Sequence, residues 1–288
     1  MALRAAAVLE KADTRSSVEY VEYPAPPPLA DVVRCVWLLW GPASVIPSPQ
    51  PVVPDGCAEI VLNLADQFRR LRGDAGWEAQ PRSMVVGQTT EAVVIAPGGR
   101  VDLVGIRLQP WGAFSVLPVP ATELRDVLLP LDTVAADMAR DLPDELRETE
   151  AAGARAVTVF RYLARQARRA SARPRSRARA IVDEATRQPE ATTVRDLAAR
   201  LGLGERQVER ELDRHVGLRP KMLLRIARFQ RALAVARAAD RLGWSAVAAR
   251  AGYYDQAHLT HEFRRFAACT PSEFLGRDRS LTDLFLAE

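Results

Sequence analysis

The pattern of hydrophobic and polar positions changes character partway along the chain. Between Val32 and Leu108 apolar residues come in short runs rich in β-branched and aromatic side chains. These are "VVRCVWLLW" (32–40), "CAEIVLNL" (57–64), "SMVVGQ" (83–88), "EAVVIA" (91–96) and "VDLVGIRL" (101–108). Clusters of Pro, Gly and Asp separate them ("PSPQP", "PDG", "GDAG", "PGG"), so the pattern predicts strands joined by turns. In "CAEIVLNL" the period is two: Ala58, Ile60, Leu62 and Leu64 face one way, Cys57, Glu59, Val61 and Asn63 the other. Several short strands with frequent turns predict a sandwich or small barrel over residues 1–120.

Beyond Pro120 that punctuation is lost. Residues 121–170 predict a helical extension, with breaks near Pro130 and Pro143. The Arg-rich stretch "SARPRSRAR" (171–179) has no large apolar side chain and predicts an exposed linker. Residues 180–277 are helical in pattern apart from short turns, and 278–288 form a tail. The expected fold class is α+β: a mainly β N-terminal domain with a helical extension, then an all-α domain.

Within the helical part the chain repeats itself. "LAARLGL-GERQVERELDRHVGLRPKMLL" (197–224) aligns with "VAARAGYYDQAHLTHEFRRFAACTPSEFL" (247–275), with one residue inserted at Tyr254. Each copy has a short helix with one small, apolar face: Val194, Leu197, Ala198 and Leu201, then Val247, Ala248 and Ala251. A glycine follows (Gly202, Gly252), suited to a turn at positive φ. A second helix follows, with apolar pairs Val208–Leu212 and Leu259–Phe263. Helix, glycine turn, helix is the plan of the DNA-binding helix-turn-helix, whose second helix enters the major groove.

Between the copies, "PKMLLRIARFQRALAVARAAD" (220–240) predicts one long helix opened by Pro220. About twenty residues at ~1.5 Å each span roughly 30 Å, near the ~34 Å of one duplex turn. Two recognition helices so spaced can reach two successive major grooves of double-stranded DNA. Charge agrees with this. Residues 171–277 hold 21 Lys and Arg against 12 Asp and Glu, a net of +9, whereas the whole chain carries +4 and its remainder therefore −5. Such asymmetry assigns a polyanion to one part of the chain.

Residues 180–277 resemble the DNA-binding domain of the AraC/XylS family of bacterial transcription regulators. The second copy carries the more specific motifs: a Gly-aromatic pair (Gly252–Tyr253), a Gln-containing turn, Phe263-Arg264-Arg265 and Thr270-Pro271-x-x-Phe274. Ala268 stands where the family usually has glycine, and His261 where an arginine commonly reads a base. The resemblance places base-edge readers on the outward face of each second helix: Arg206, Glu209 and Arg210 in the first, Gln256, Ala257, His258, Thr260 and His261 in the second. Arg can fork to guanine, Gln to adenine, and Glu can accept from cytosine. Arg264 and Arg265 suit phosphates or acidic neighbours. The first helix is acidic for its task (Glu205, Glu209, Glu211, Asp213). Trp244, Tyr253, Phe263, Phe266 and Phe274 are expected in the core.

The N-terminal stretch resembles a domain found in uncharacterised members of the same family, on the landmarks Trp37, Pro54-Asp55-Gly56-Cys57, Gly87-Gln88 and Gly105-x-Arg107. The resemblance implies a one-component regulator. Its first domain would take a small effector or a second protomer to form a homodimer; the regulator could be an activator or a repressor, and only if an activator would it also touch RNA polymerase. The alternative is an architectural DNA-binding protein with no ligand, its first domain only oligomerising. An effector pocket would draw on Trp37, Trp40, Glu59, Arg107 and Trp111, aromatic walls with one or two charges. Cys57 is expected to be buried and inert. No enzyme chemistry is expected: the three histidines lie in the helical part, GxSxG and P-loop motifs are missing, and three scattered cysteines offer no metal spacing. No catalytic residue, cofactor or metal is expected. Without a signal-peptide pattern or long apolar run, a cytoplasmic protein is expected.

Overall fold

The computed structural model describes residues 9–11, 18–42, 49–117, 119–167, 176–189, 192–238 and 242–276. The expected tail at 278–288 and the first part of the expected linker, 171–175, lie outside them. Among the described residues the N-terminal region contains β1 (Leu9–Lys11), β2 (Glu19–Pro24), β3 (Val33–Gly41), β4 (Gln50–Val52), β5 (Glu59–Asn63) and β6 (Arg69–Leu71). These are followed by β7 (Trp77–Ala79), β8 (Ser83–Val86), β9 (Val93–Ala96), β10 (Val101–Leu108), α1 (Ala113–Val116) and β11 (Leu128–Pro130). The strands form two antiparallel sheets, ordered β1-β2-β3-β10-β5-β8-β11 and β4-β9-β6-β7. Both orders are open, so this is a sandwich and not a closed barrel.

The alternation in the sequence decides the layering. Val36, Leu38, Ile60, Leu62, Val104 and Ile106 point to one face of the large sheet. Met138, Leu142 and Leu146 of α2 (Asp132–Arg147) and Val159, Tyr162 and Leu163 of α3 (Ala152–Ala167) cover that face. Tyr20, Trp37, Leu39, Val61 and Leu103 point the other way, where Phe68 and Ile95 meet them from the loop and strand of the small sheet.

Two expectations about 121–170 change. Leu128–Pro130 is an edge strand on β8, where Pro130 occupies the kind of position a strand can give to proline. Pro143 does not end a helix: α2 runs through it, and the irregularity falls at Ala135 (φ −152°, ψ 65°). Pro143 is buried, so packing offsets the backbone hydrogen bond it cannot donate.

The C-terminal region is helical: α4 (Ser176–Arg187), α5 (Val194–Arg200), α6 (Glu205–His215), α7 (Pro220–Ala238), α8 (Trp244–Arg250), α9 (Gln256–Ala267) and α10 (Pro271–Gly276). Thus the second half of the expected linker is the first turn of α4. Leu223, Leu224, Ile226, Phe229, Ala232 and Leu233 bury much of the surface of α7, which lies at the centre of this region. The core it organises extends into the N-terminal domain, because Val53 and Trp111 belong to the same buried cluster.

Candidate nucleic-acid interface

Each hairpin closes in the same way. Leu203 N–H donates to Ala198 O at 2.9 Å and Tyr253 N–H to Ala248 O at 2.9 Å, across glycines at φ +64° (Gly202) and +76° (Gly252). These bonds satisfy carbonyls that the ends of α5 and α8 would otherwise leave open. Leu197 and Ala198, like Val247 and Ala248, are buried, so the helices of each pair cross on small residues.

The second helix of each pair divides cleanly into an inner and an outer face. In α6, Val208, Leu212 and His215 are buried, while Arg206, Glu209 and Arg210 are exposed. In α9, Leu259, Glu262, Phe263 and Phe266 are buried, while Gln256, Ala257, His258, His261 and Arg264 are exposed. Thr260 is half-buried, and its hydroxyl donates to Gln256 O at 2.8 Å. The inner face of α9 is aromatic: Phe263 meets Phe229, Trp244 and Phe274 with ring centroids 5.0, 5.6 and 5.7 Å away. The buried carboxylate of Glu262 pairs with Arg225 of α7 at 2.6 Å, and this hydrogen bond raises the Arg225 pKa. Glu211 occupies the equivalent place in α6 and lies 3.7 Å from His215.

The start of α9 is better fixed than that of α6. Asp255 caps it, accepting from His258 N–H at 2.7 Å, whereas Gly204 caps α6 with no side-chain bond. Ser245 of α8 donates to Gln256 Oε1 at 2.9 Å, which holds the Gln256 amide beside the helix start. The His258 ring stands edge-on to Tyr253, centroids 5.2 Å apart. Between Gly252 and this cap sits Tyr254, the inserted residue, with 94% of its surface exposed. The repeat alignment flags its position, but only burial distinguishes it from the buried Tyr253.

The residues expected to line an effector pocket separate into two places and an outlier. Trp37, Glu59 and Arg107 come together on the large sheet, because β10 pairs Gly105 with Trp37 and Arg107 with both Cys35 and Glu59. Gly105 makes this possible: a Cβ there would sit 1.9 Å from the Trp37 ring. Arg107 is buried and lies 2.6 Å from Glu59, 3.6 Å from Asp55 and 3.6 Å from Glu22. Trp37 Nε1 donates to Glu59 at 3.3 Å, and the Tyr20 hydroxyl donates to Glu22. Burial opposes the Arg107 charge, but Glu59 and Asp55 outweigh it and hold its pKa above the usual range. Burial pushes the Glu59 carboxyl up, the Cys35 thiol up to about 12, and the buried Cys57 thiol well up, so neither thiol is activated.

Trp40 packs instead against the helix-covered face of the sheet. Trp111 lies in the core shared with the helical region, where its Nε1 donates to Asp31 O at 2.9 Å and Arg179 stands over its ring. The Asp55 turn is an Asx turn, with Cys57 N–H donating to Asp55 Oδ1 at 2.8 Å and Gly56 at φ +81°. Among the described residues no cluster of three or more His, Cys, Asp or Glu is placed to hold a metal, and no helix is long and apolar enough to cross a membrane.

Comparison with known proteins divides the chain in the same way. Residues 197–277 match a family described as "Helix-turn-helix domain", and residues 21–130 match one described as "Domain of unknown function (DUF6597)". No curated protein matches the sequence. Among solved structures, ToxT from Vibrio cholerae is similar at 9% identity, covering 83% of this chain and 93% of that one with a TM-score of 0.44. An unsaturated fatty acid bound form of wild-type ToxT has 11% identity, coverages of 78% and 88%, and a TM-score of 0.44. A DNA-binding transcriptional dual regulator from Escherichia coli K-12 has 23% identity, covering 37% of this chain and all of that one, with a TM-score of 0.32. With two glycine-turned hairpins joined by one long helix, residues 197–277 form a helix-turn-helix domain of the AraC type.

Proposed function

We propose that the protein is a sequence-specific regulator that lays α6 and α9 into two successive major grooves of a promoter. One observation carries this reading: both second helices turn a polar face to solvent on the same plan, on hairpins tied through α7. Arg206, Glu209 and Arg210 are the readers on α6. Gln256, Ala257, His258, Thr260 and His261 are those on α9, with Arg264 on phosphate. Tyr254 joins the second set, since an exposed aromatic ring beside the helix start can lie on a thymine methyl or a sugar. The full-length protein should select one sequence from a random pool and bind it with a steep salt dependence, because phosphate contacts release counterions. Affinity that stays flat between about 50 and 200 mM salt would overturn the reading.

Regulation is assigned to the N-terminal domain, through a small effector or a second protomer. Trp37, Glu59 and Arg107 support an effector site at the buried charge cluster, where a ligand would have to compete with Glu59 and Asp55 for Arg107. Trp40 and Trp111 would contribute only to separate sites. A thermal-shift screen of metabolites on wild type and Arg107→Met tests this. A ligand that stabilises wild type alone supports the site, and one that stabilises both places it elsewhere.

A further inference from the structure

A protein with two readers has one length that matters above others, the distance between them. α7 sets part of it, at about 1.5 Å for each of its residues. The N-terminal domain grips the helical region on both sides of that helix and on the helix itself. Beside the first unit, Arg125 Nε donates to Gly217 O at 2.7 Å, and Phe114 meets His215 edge-on at 6.1 Å. Gly217 has φ +80°, and a Cβ there would lie 2.2 Å from the Ala121 carbonyl. On α7, Gln230 Nε2 donates to Pro54 O at 2.6 Å. In the second unit, Ala92 N–H donates to Arg265 O at 3.2 Å near the end of α9, while Arg265 reaches back to Thr90 O at 3.3 Å and Glu91 at 3.5 Å.

None of these contacts covers a reader. Arg206, Arg210, Gln256, His258 and His261 all stay exposed while the domains are docked. A docked domain that left one unit free could only tether it. One that masked the outer faces could only block them. Here both units are held from behind, at Gly217 and at Arg265, by segments of one N-terminal domain.

We propose that the N-terminal domain is a brace that fixes the separation and phase of the two recognition helices, so that both domains together determine operator spacing. The inference rests on the two-groove reading above. Arg125, Gln230 and the carbonyls of Pro54, Thr90 and Gly217 thereby become positioning groups for DNA recognition without touching DNA. One added base pair moves the second site by about 3.4 Å and turns it by about 35° relative to the first. A braced pair of readers cannot follow both changes, whereas a pair joined by α7 alone can flex towards them.

The test takes the sequence selected by full-length wild type and adds or removes one base pair between its two contacted segments. Affinities are measured for wild type and for the full-length Arg125→Ala/Gln230→Ala variant. Wild type should lose about tenfold or more at the altered spacings, the order of a lost base contact or two. The variant should bind the native spacing more weakly and lose only about threefold at the altered ones, with unchanged preference at each base. Gln230→Ala alone, which removes one hydrogen bond, serves if the double variant melts early, and it should shift the spacing penalty in the same direction. A variant that keeps the wild-type spacing penalty overturns the brace and leaves the DNA reading standing, as does a wild type indifferent to spacing. A wild type that selects no sequence overturns the DNA reading, and the brace with it.

Discussion

The two helix-turn-helix units share a plan and differ in what they lean on. The first ends at Gly217, pressed against the Ala121 carbonyl, and its core helix ends in His215 beside Phe114. The second has Ala268 and Phe266 at the equivalent positions, and Ala268 is exposed. Both Gly217 (φ +80°) and Ala268 (φ +53°) adopt the left-handed conformation that ends the helix. Only where another domain's backbone approaches must the residue lack a Cβ. The first unit is therefore pressed directly by its neighbour's backbone, whereas the second, though tied to the same domain at Arg265, has its own aromatic core and a capped, Ser245-steadied helix start.

The largest expected effect tests the cores. Phe263→Ala should cost about 3–5 kcal/mol and Leu212→Ala about 2–5 kcal/mol, measured by denaturant unfolding of the full chain. Equal and small losses would mean that the helix faces are misassigned. The paired cap residues come next and should move in opposite directions. Gly217→Ala should destabilise by more than about 1 kcal/mol, from strain at positive φ and from the Ala121 carbonyl, while Ala268→Gly should stabilise by about 1 kcal/mol. The same sign for both would erase the distinction between a pressed cap and a free one.

At the DNA itself, Arg210→Ala and His261→Ala should each cost about 1–3 kcal/mol at a different base pair, the two lying about 10 base pairs apart. Randomised-site selection on each variant reads this out. If Arg210→Ala weakens all sequences alike, α6 is a phosphate clamp. Tyr254→Ala should leave the melting temperature unchanged, because its ring is 94% exposed, and should lower affinity about threefold to tenfold. Tyr254→Phe should retain most of the binding if the ring makes the contact. The smallest effect concerns the first helices of the two units. Thr193 and Asp196 form a reciprocal cap on α5, and the Thr193 hydroxyl and amide hold the Asp196 carboxyl below its usual pKa. Because the folded-state value is depressed, the cap is complete above the ordinary Asp range and is lost as pH falls through the lowered value. Amide exchange should therefore show α5 fraying in acid with a step that α8, begun by Gly243 without a side-chain cap, does not share.

The helical region was legible because its signals are local and repeated. Gly202 and Gly252, the Val208–Leu212 and Leu259–Phe263 pairs, and Pro220 mark boundaries that the structure keeps within a residue or two. The five apolar runs became β3, β5, β8, β9 and β10 for the same reason. The missed strands lack that signal. β6 and β7 carry Arg70 and Glu78, which pair across the ladder at 3.2 Å, and β11 ends in proline. Among the expected site residues, Trp37, Glu59 and Arg107 share one sheet face by period two. Trp40 and Trp111 were grouped with them by residue type alone, which does not encode proximity. The domain interface was invisible because Gly217, Pro54, Thr90 and Arg265 all accept hydrogen bonds there through main-chain carbonyls, which every residue has.

Val53 and Trp111 are buried in the core of the helical region although they precede it by more than sixty residues. A helix-turn-helix module could in principle be spliced behind another N-terminal domain. Here the splice cannot be made at the junction near residue 175 without opening two holes in the module's interior. A foreign N-terminal domain would have to supply an aliphatic plug, an indole and a donor for the Gly217 carbonyl. The two halves of this chain are thus expected to have been inherited together, with changes at Trp111 and at its helical neighbours accumulating as matched pairs.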